Sequence, residues 1–229
     1  MNKTLPSAVS QRALLAAVLK RRGIKVEELA DSPIAANHPD GSLIVWAMLD
    51  FSKTNFAVQT QARQAVQLLL SEQPASITLV VQGDAKQRQQ AAEAAVYAAW
   101  VNGASLPLHK KKPRKPLQKI ALFGYADKKI FDALKAQAEG NFLCRMLTEM
   151  PPNELTPRLY RARIKKLAKT NKWKLKEFDM KALRKMGAGA FVAVAQGSHD
   201  DDAAIVHLSY KHPKAKQTVA LVGKGIGIS

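Results

Sequence analysis

Apolar positions along this chain follow two spacings, and the switch between them predicts its elements. Leu14, Leu15, Val18 and Leu19 recur three and four apart, so Ser10–Arg22 reads as a short helix, with Gly23 after a basic last turn as its stop. Lys25 to Asp40 has no period and carries Ser32-Pro33 and His38-Pro39-Asp40-Gly41, so it reads as a connection, with His38 a loop histidine. Leu43–Leu49 is a continuous apolar run, the pattern of a buried strand. Asn55–Ser71 returns to the helical period, with Phe56, Ala62, Val66, Leu69 and Leu70 expected on its inner side. After Pro74 comes the strand Ile77–Val81. Asp84 then caps an alanine-rich helix running to about Val101, in which Ala95, Tyr97 and Ala99 suit close packing on a sheet.

Alternation of helix and strand implies a sheet with helices on its faces. Gln82-Gly83-Asp84 lies where a phosphate turn would sit, but one glycine beside a carboxylate favours a plain strand-to-helix loop. Leu108–Lys119 is basic and broken by Pro113 and Pro116. It reads equally as a nucleic-acid patch and as a solvated loop ahead of the strand Ile120–Phe123. Asp127–Thr148 predicts one long helix with Ile130, Leu134, Phe142, Cys144, Met146 and Leu147 as its contacts and a weak point at Gly140-Asn141.

Pro151 and Pro152 then fix an extended segment. Thr156 and Pro157 mark the cap and first turn of another helix. That helix turns Tyr160, Ile164, Leu167 and Ala168 inward, and Arg158, Arg161, Arg163, Lys165, Lys166 and Lys169 are expected on its solvated faces. Trp173–Phe178 is a strand, and Asp179 caps a two-turn helix that stops at Gly187-Ala188-Gly189. Gln196-Gly197-Ser198 turns the chain, and Ala204–Tyr210 alternates as a strand. The last run, Thr218–Val222, is apolar throughout and ends in Gly223-Lys224-Gly225. It predicts a strand buried on both faces of a parallel sheet.

The 229 residues are enough for one large domain or two small ones. Composition is that of an ordinary globular chain, but the net charge is +18. So basic a chain attracts polyanions at low salt, and its 6% aromatic content argues against a stacking platform for single strands. With one cysteine, Cys144, no internal disulfide can form, which fits a reducing compartment. Its apolar helical neighbours predict a packed core thiol rather than a nucleophile. No apolar run approaches the roughly 20 residues needed to span a bilayer. The N-terminal stretch lacks a clean charged region and a cleavage site, so the chain reads as cytoplasmic with no membrane partner.

Ligand sites in parallel sheets lie just beyond the carboxyl ends of the strands, where Lys224 stands between two glycines. A partly desolvated amine there can lose its proton and bind a metal, or stay charged and hold an anion. The plain alternative is a surface lysine in a turn. His199 with Asp200, Asp201 and Asp202 has the composition of a metal cluster. Adjacent residues in a turn cannot all point at one ion, so a polar loop is favoured.

Three ordered motifs remain. They are Pro151-Pro152-Asn153 with Leu155-Thr156-Pro157, Met186-Gly187 with Phe191 to Ser198, and Val219-Ala220-Leu221-Val222-Gly223-Lys224-Gly225. Together they closely resemble the leucyl aminopeptidase (cytosol aminopeptidase) family over about Asn141 to Gly225. Met146 and Glu149 depart from its pattern. The resemblance implies an α/β protein with an N-terminal mixed α/β sheet domain (1–125), a linking helix (126–150) and an incomplete second α/β domain (151–229), the start of a metallopeptidase catalytic domain.

The resemblance also implies that Lys224 is a metal ligand in an enzyme that releases N-terminal residues from peptides. The full-length enzyme would use two divalent ions, manganese or zinc, and assemble as a homo-hexamer. The family's next ligand is an aspartate, and by count Ser229 stands in its place. The ending is equally read as the family's later GGIS with residues lost before it. The family's remaining carboxylates, second lysine and arginine have no counterpart here, so the expectation is a truncated chain that is inactive alone. Some family members bind DNA, so a non-catalytic basic DNA-binding protein is the alternative. A fragment with no independent task is the third reading.

Overall fold

The computed structural model of the chain describes residues 5, 7–106, 114–197 and 202–225. It divides into two compact units, Met1–Glu149 and Met150–Ser229. The architecture is mixed α/β. The described strands form three separate two-stranded sheets, two of them in the first unit, where the alternation predicts one.

In the first unit, helix α1 (Arg12–Arg22) buries Leu15, Val18 and Leu19. It ends where Gly23 adopts φ 65°. The Gly23 and Ile24 N–H groups donate back to the carbonyls of Lys20 (3.3 Å) and Leu19 (3.1 Å), which satisfies two carbonyls at the helix end. The connection after it is not structureless. It holds a 3-10 turn, Val26–Ala30, and a strand, β1 (Ile34–Asn37), which pairs antiparallel with β2 (Leu43–Trp46). At the hairpin turn, Asp40 Oδ1 accepts from the Ser42 hydroxyl (2.6 Å) and the Ser42 N–H (2.8 Å). Chiefly through the hydroxyl bond, the Asp40 carboxyl is lowered to about 2. Trp46 is buried among Leu15, Leu29 and Ile34, and its indole N–H donates to the Ser10 carbonyl at 2.9 Å.

Helix α2 (Asn55–Leu70) starts at Thr54, whose hydroxyl accepts from the Ala57 N–H at 3.3 Å. Its buried stripe is Val58, Ala62, Val66 and Leu70, each four residues apart. Phe56 was expected inside but is 80% exposed, because it stands two residues, or about 200°, off that stripe. Strand β3 (Ser76–Val80) pairs parallel with β4 (Lys119–Phe123), Ile77 opposite Ile120. Between them runs α3 (Ala85–Gly103). Asp84 accepts from the Gln87 N–H (2.8 Å) while Gln87 Oε1 accepts from the Asp84 N–H (3.1 Å). The protein's own carboxylate thus occupies the helix start that a phosphate would need, and Gln82-Gly83-Asp84 is a plain strand-to-helix loop. Ala91, Ala92, Ala94, Ala98 and Ala99 are buried along α3, and α2 and α4 pack on it.

Helix α4 (Ile130–Glu149) runs unbroken through Gly140-Asn141. It meets α3 through polar as well as apolar groups. Arg145 donates to the Val101 carbonyl and Asn141 to the Tyr97 hydroxyl, while Ala138 is buried. Cys144 is exposed, not the packed core thiol expected, because the face that meets α3 passes through Asn141 and Arg145. Of the basic run Leu108–Lys119, the part up to Pro113 lies outside the described residues. Arg114, which follows it, donates to the Leu70 carbonyl at 2.7 Å.

The second unit contains a 3-10 turn (Pro152–Glu154), α5 (Pro157–Thr170), β5 (Lys174–Asp179), α6 (Met180–Lys185), α7 (Gly189–Ala195) and β6 (Ala204–Ser209). β5 and β6 pair antiparallel, with Glu177 opposite Val206. Asp179 caps α6 as its position predicts, accepting from the Ala182 N–H at 2.8 Å. Its buried apolar residues are Ala168, Met180 and Leu183. Half-buried Trp173 follows α5, its N–H donating to the Ala168 carbonyl at 2.8 Å. The final apolar run is not a buried strand. Among the described residues no strand pairs with it, and Val219, Leu221 and Val222 are 78%, 94% and 99% exposed. Burial on both faces needs paired neighbours and covering layers, and the described part of this unit offers one two-stranded antiparallel sheet. Among the described residues no helix is long and apolar enough to cross a membrane.

Gly124 ends β4 with φ 89°, and a methyl built there would lie 2.1 Å from the Val81 carbonyl oxygen. Gly124→Ala is therefore expected to destabilise the chain by about 2 kcal/mol or more. Urea unfolding checks this, and an unchanged midpoint would refute the packing described for that turn.

Candidate functional site

The first motif builds the start of α5. The Thr156 hydroxyl accepts from the Leu159 N–H at 3.4 Å, and Pro157 occupies the first helical position. The next donor, the Arg158 N–H, is taken by Asp202 Oδ2 at 3.0 Å. A carboxylate just ahead of β6 thus caps a helix 44 residues earlier, where the helix dipole favours negative charge. Arg161, one turn on, donates to the Asp202 carbonyl oxygen at 2.6 Å and also to Glu177 on β5. Lys165 meets the other Glu177 oxygen at 2.7 Å. Arg161 and Lys165 stand four apart and so share the face turned to β5.

The Arg161 and Glu177 side chains are 23% and 15% exposed. Hydrogen bonding from Lys165, with Arg161 adding to it, holds the Glu177 carboxyl below its ordinary value against the opposing effect of burial. Lys165 is exposed, as its position predicts, whereas Arg161, expected on a solvated face, is largely covered. The structure makes them the ionic link between helix and strand, a role signalled by their four-residue spacing and by Glu177 between Lys176 and Phe178 on β5. Asp202, read from the sequence as part of a polar loop, is engaged by α5. Its Oδ1 is buried with no hydrogen-bond partner. His199, Asp200 and Asp201 lie outside the described residues.

The second motif begins at Met186, the residue that caps the end of α6, and takes in Phe191 to Ala195 of α7, with Met186 and Val194 exposed; Ser198 lies outside the described residues. The third passes beside α5, since a methyl built on Gly225 would lie 3.6 Å from a ring carbon of Tyr160. Lys224 is exposed there rather than partly desolvated. Ile226 to Ser229 lie outside the described residues. Among the described residues, no three His, Cys, Asp or Glu side chains gather where they could hold one ion. A pair of dications about 3.5–4 Å apart needs several bridging and terminal oxygens. The described residues do not fit such a pair.

Comparison with known proteins places this geometry in a class. The chain is similar to the bottromycin maturation enzyme BotP, solved in complex with Mn, with a TM-score of 0.65 at 23% identity over 90% of this chain and 43% of that one. It is also similar to a tomato leucine aminopeptidase mutant, with a TM-score of 0.68 at 17% identity over 94% of this chain and 47% of that one. The fold is therefore that of the leucine aminopeptidases. Residues 142–228 match the family model described as "Cytosol aminopeptidase family, catalytic domain". A probable cytosol aminopeptidase from Prochlorococcus marinus is 37% identical over 118 residues, half of this chain and 24% of that protein. On this match and these relatives residues 142–228 belong to the cytosol aminopeptidase family, a family of metallopeptidases. The chain spans about a quarter of the curated relatives it first matches.

Glu177→Gln is expected to lower stability by about 1–2 kcal/mol at pH 7. A carboxyl lowered by folding contributes stability that is complete above its unfolded value and is lost as pH falls through its folded one. The wild-type advantage over Glu177→Gln should therefore shrink below about pH 4. Urea midpoints followed by circular dichroism from pH 7 to pH 3 check this. Parallel curves for the two proteins would contradict it.

Proposed function

We propose that this chain is the N-terminal α/β domain (1–125), linking helix (126–150) and opening part (151–229) of a metal-dependent aminopeptidase that releases N-terminal residues from peptides. Lys224 is the residue that would serve as a metal ligand. The observation that carries the reading is the family match over 142–228, which contains Lys224 within Val222-Gly223-Lys224-Gly225. Manganese or zinc are the ions proposed, and the Mn complex of BotP favours the first. A cytoplasmic homo-hexamer is proposed for the whole enzyme.

The 229-residue polypeptide is proposed to be inactive by itself. No Asp or Glu follows Asp202 in its sequence, so Lys224 has no carboxylate near it along the chain. One amine cannot hold two dications. The alternative, non-catalytic binding of DNA, rests on charge, with Arg158, Arg163, Lys166 and Lys169 exposed along α5. Charge alone predicts binding that weakens steeply as salt rises.

The expected result with purified chain is no cleavage of leucyl p-nitroanilide with Mn2+ or Zn2+, and metal-stimulated turnover would overturn the proposed inactivity. Joined to the downstream half of a cytosol aminopeptidase, the chain should gain activity. Lys224→Ala should then reduce that activity by about 100-fold. Full activity of the Lys224→Ala chimera would remove this residue from the ligand set.

A further inference from the structure

We propose that the cleft between α3, β4 and the start of α4 binds a small planar aromatic anion, such as an aryl carboxylate or sulfonate. The cleft holds about 740 Å3 and lies within residues 96–135, upstream of the segment that matches the catalytic domain. That volume suits a small organic ligand. Val96 and Ala99 of α3 and Ile120 and Leu122 of β4 line it with apolar surface. Room is left because Ala99, Ala104 and Ala126 carry single methyl groups. At Gly103 the chain packs closely, and a methyl built there would come within 2.7 Å of Leu117.

Three aromatic rings at this cleft set the shape of the occupant. Phe131 stands edge-on to Trp100 (6.2 Å, 86°) and to Tyr125 (6.2 Å, 88°). Neither contact is a parallel stack, so a flat ligand ring can add the offset stacking that these side chains do not give one another. The charged groups set the sign. Lys128 and Lys135 line the cleft with one acid, Asp132, while Asp127 and Glu93 act on Tyr125 without being part of the lining. Lys135 also meets Glu139, at 4.0 Å between exposed side chains, which holds it loosely. The Tyr125 hydroxyl is raised above its ordinary value, first by burial and then by Asp127 and Glu93. It therefore keeps its proton near neutral pH and can donate a hydrogen bond to an anionic head.

The test uses two dyes of one body on the full chain: 8-anilinonaphthalene-1-sulfonate, and N-phenyl-1-naphthylamine, which lacks the sulfonate. The sulfonate should bind at one site about tenfold more tightly than the neutral dye. Ala126→Trp, at an exposed position lining the cleft, and Ala104→Phe should each abolish that site with an unchanged circular dichroism spectrum. Should Ala104→Phe fail to fold, Ala126→Trp carries the test. Lys128→Gln with Lys135→Gln should bring the sulfonate down to the affinity of the neutral dye and leave the neutral dye unaffected. Sulfonate binding that persists in folded Ala126→Trp would place the dye elsewhere, for example on the exposed 219–222 run, and overturn the proposal. Equal affinity of the two dyes for the wild-type chain would overturn it as well.

Discussion

Two neighbouring strands that run the same way cannot be joined by a tight turn, since the chain must cross back over the sheet before the second strand begins. In the first unit that requirement falls on α3, the helix between β3 and β4. α3 is at once the connection, the cover of the sheet and the surface on which α2 and α4 pack. Only a helix of small side chains can meet so many neighbours closely, and Ala92 and Ala99 are fully buried in it. The aromatic cleft follows from the same constraint. Its α3 wall is Val96, Ala99 and Trp100, and Phe131 of α4 meets Trp100 edge-on across it.

The second unit is held by different means. Among its described residues few apolar ones are buried, and its long-range order runs through charged and polar groups. Asp202 caps α5, Arg161 joins that cap to Glu177, and Lys165 completes the set. These ties are made in a stretch where sixteen basic residues face six acidic ones over residues 150–229, so each carboxylate offsets repulsion as well as forming its own bonds. Sparse apolar burial and exposed hydrogen bonds belong to the low end of local stability.

Local signals in the sequence were readable wherever the cause of the structure is local. The helix α2 with Ala62, Val66 and Leu70 inside, the caps at Asp84, Thr156 and Asp179, and the strands β5 and β6 each depend on a few neighbouring residues. They stand where the pattern placed them. The misses share a different cause. β1 is only Ile-Ala-Ala-Asn, too short and too plain to carry a period, and it is a strand because β2 lies beside it. Cys144 and Phe56 have apolar neighbours in sequence, yet their exposure depends on which helix face a partner element covers. The Asp202 cap joins residues 44 apart, and no window reads such a contact. For Thr218–Val222, apolar composition predicted burial that only paired strands can provide. The family resemblance was legible for a separate reason, because its three motifs lie in order along the chain.

The indole of Trp46 is buried and bonded to the Ser10 carbonyl, Trp100 borders the aromatic cleft, and Trp173 belongs to the second unit. The three tryptophans therefore divide between the two units, two in the first and one in the second. Intrinsic emission carries a separate reporter for each. Replacing Trp46 and Trp100 by phenylalanine leaves Trp173 as a lone fluorophore, whose wavelength follows the loosening of the α5–β5 region independently of what the first unit does.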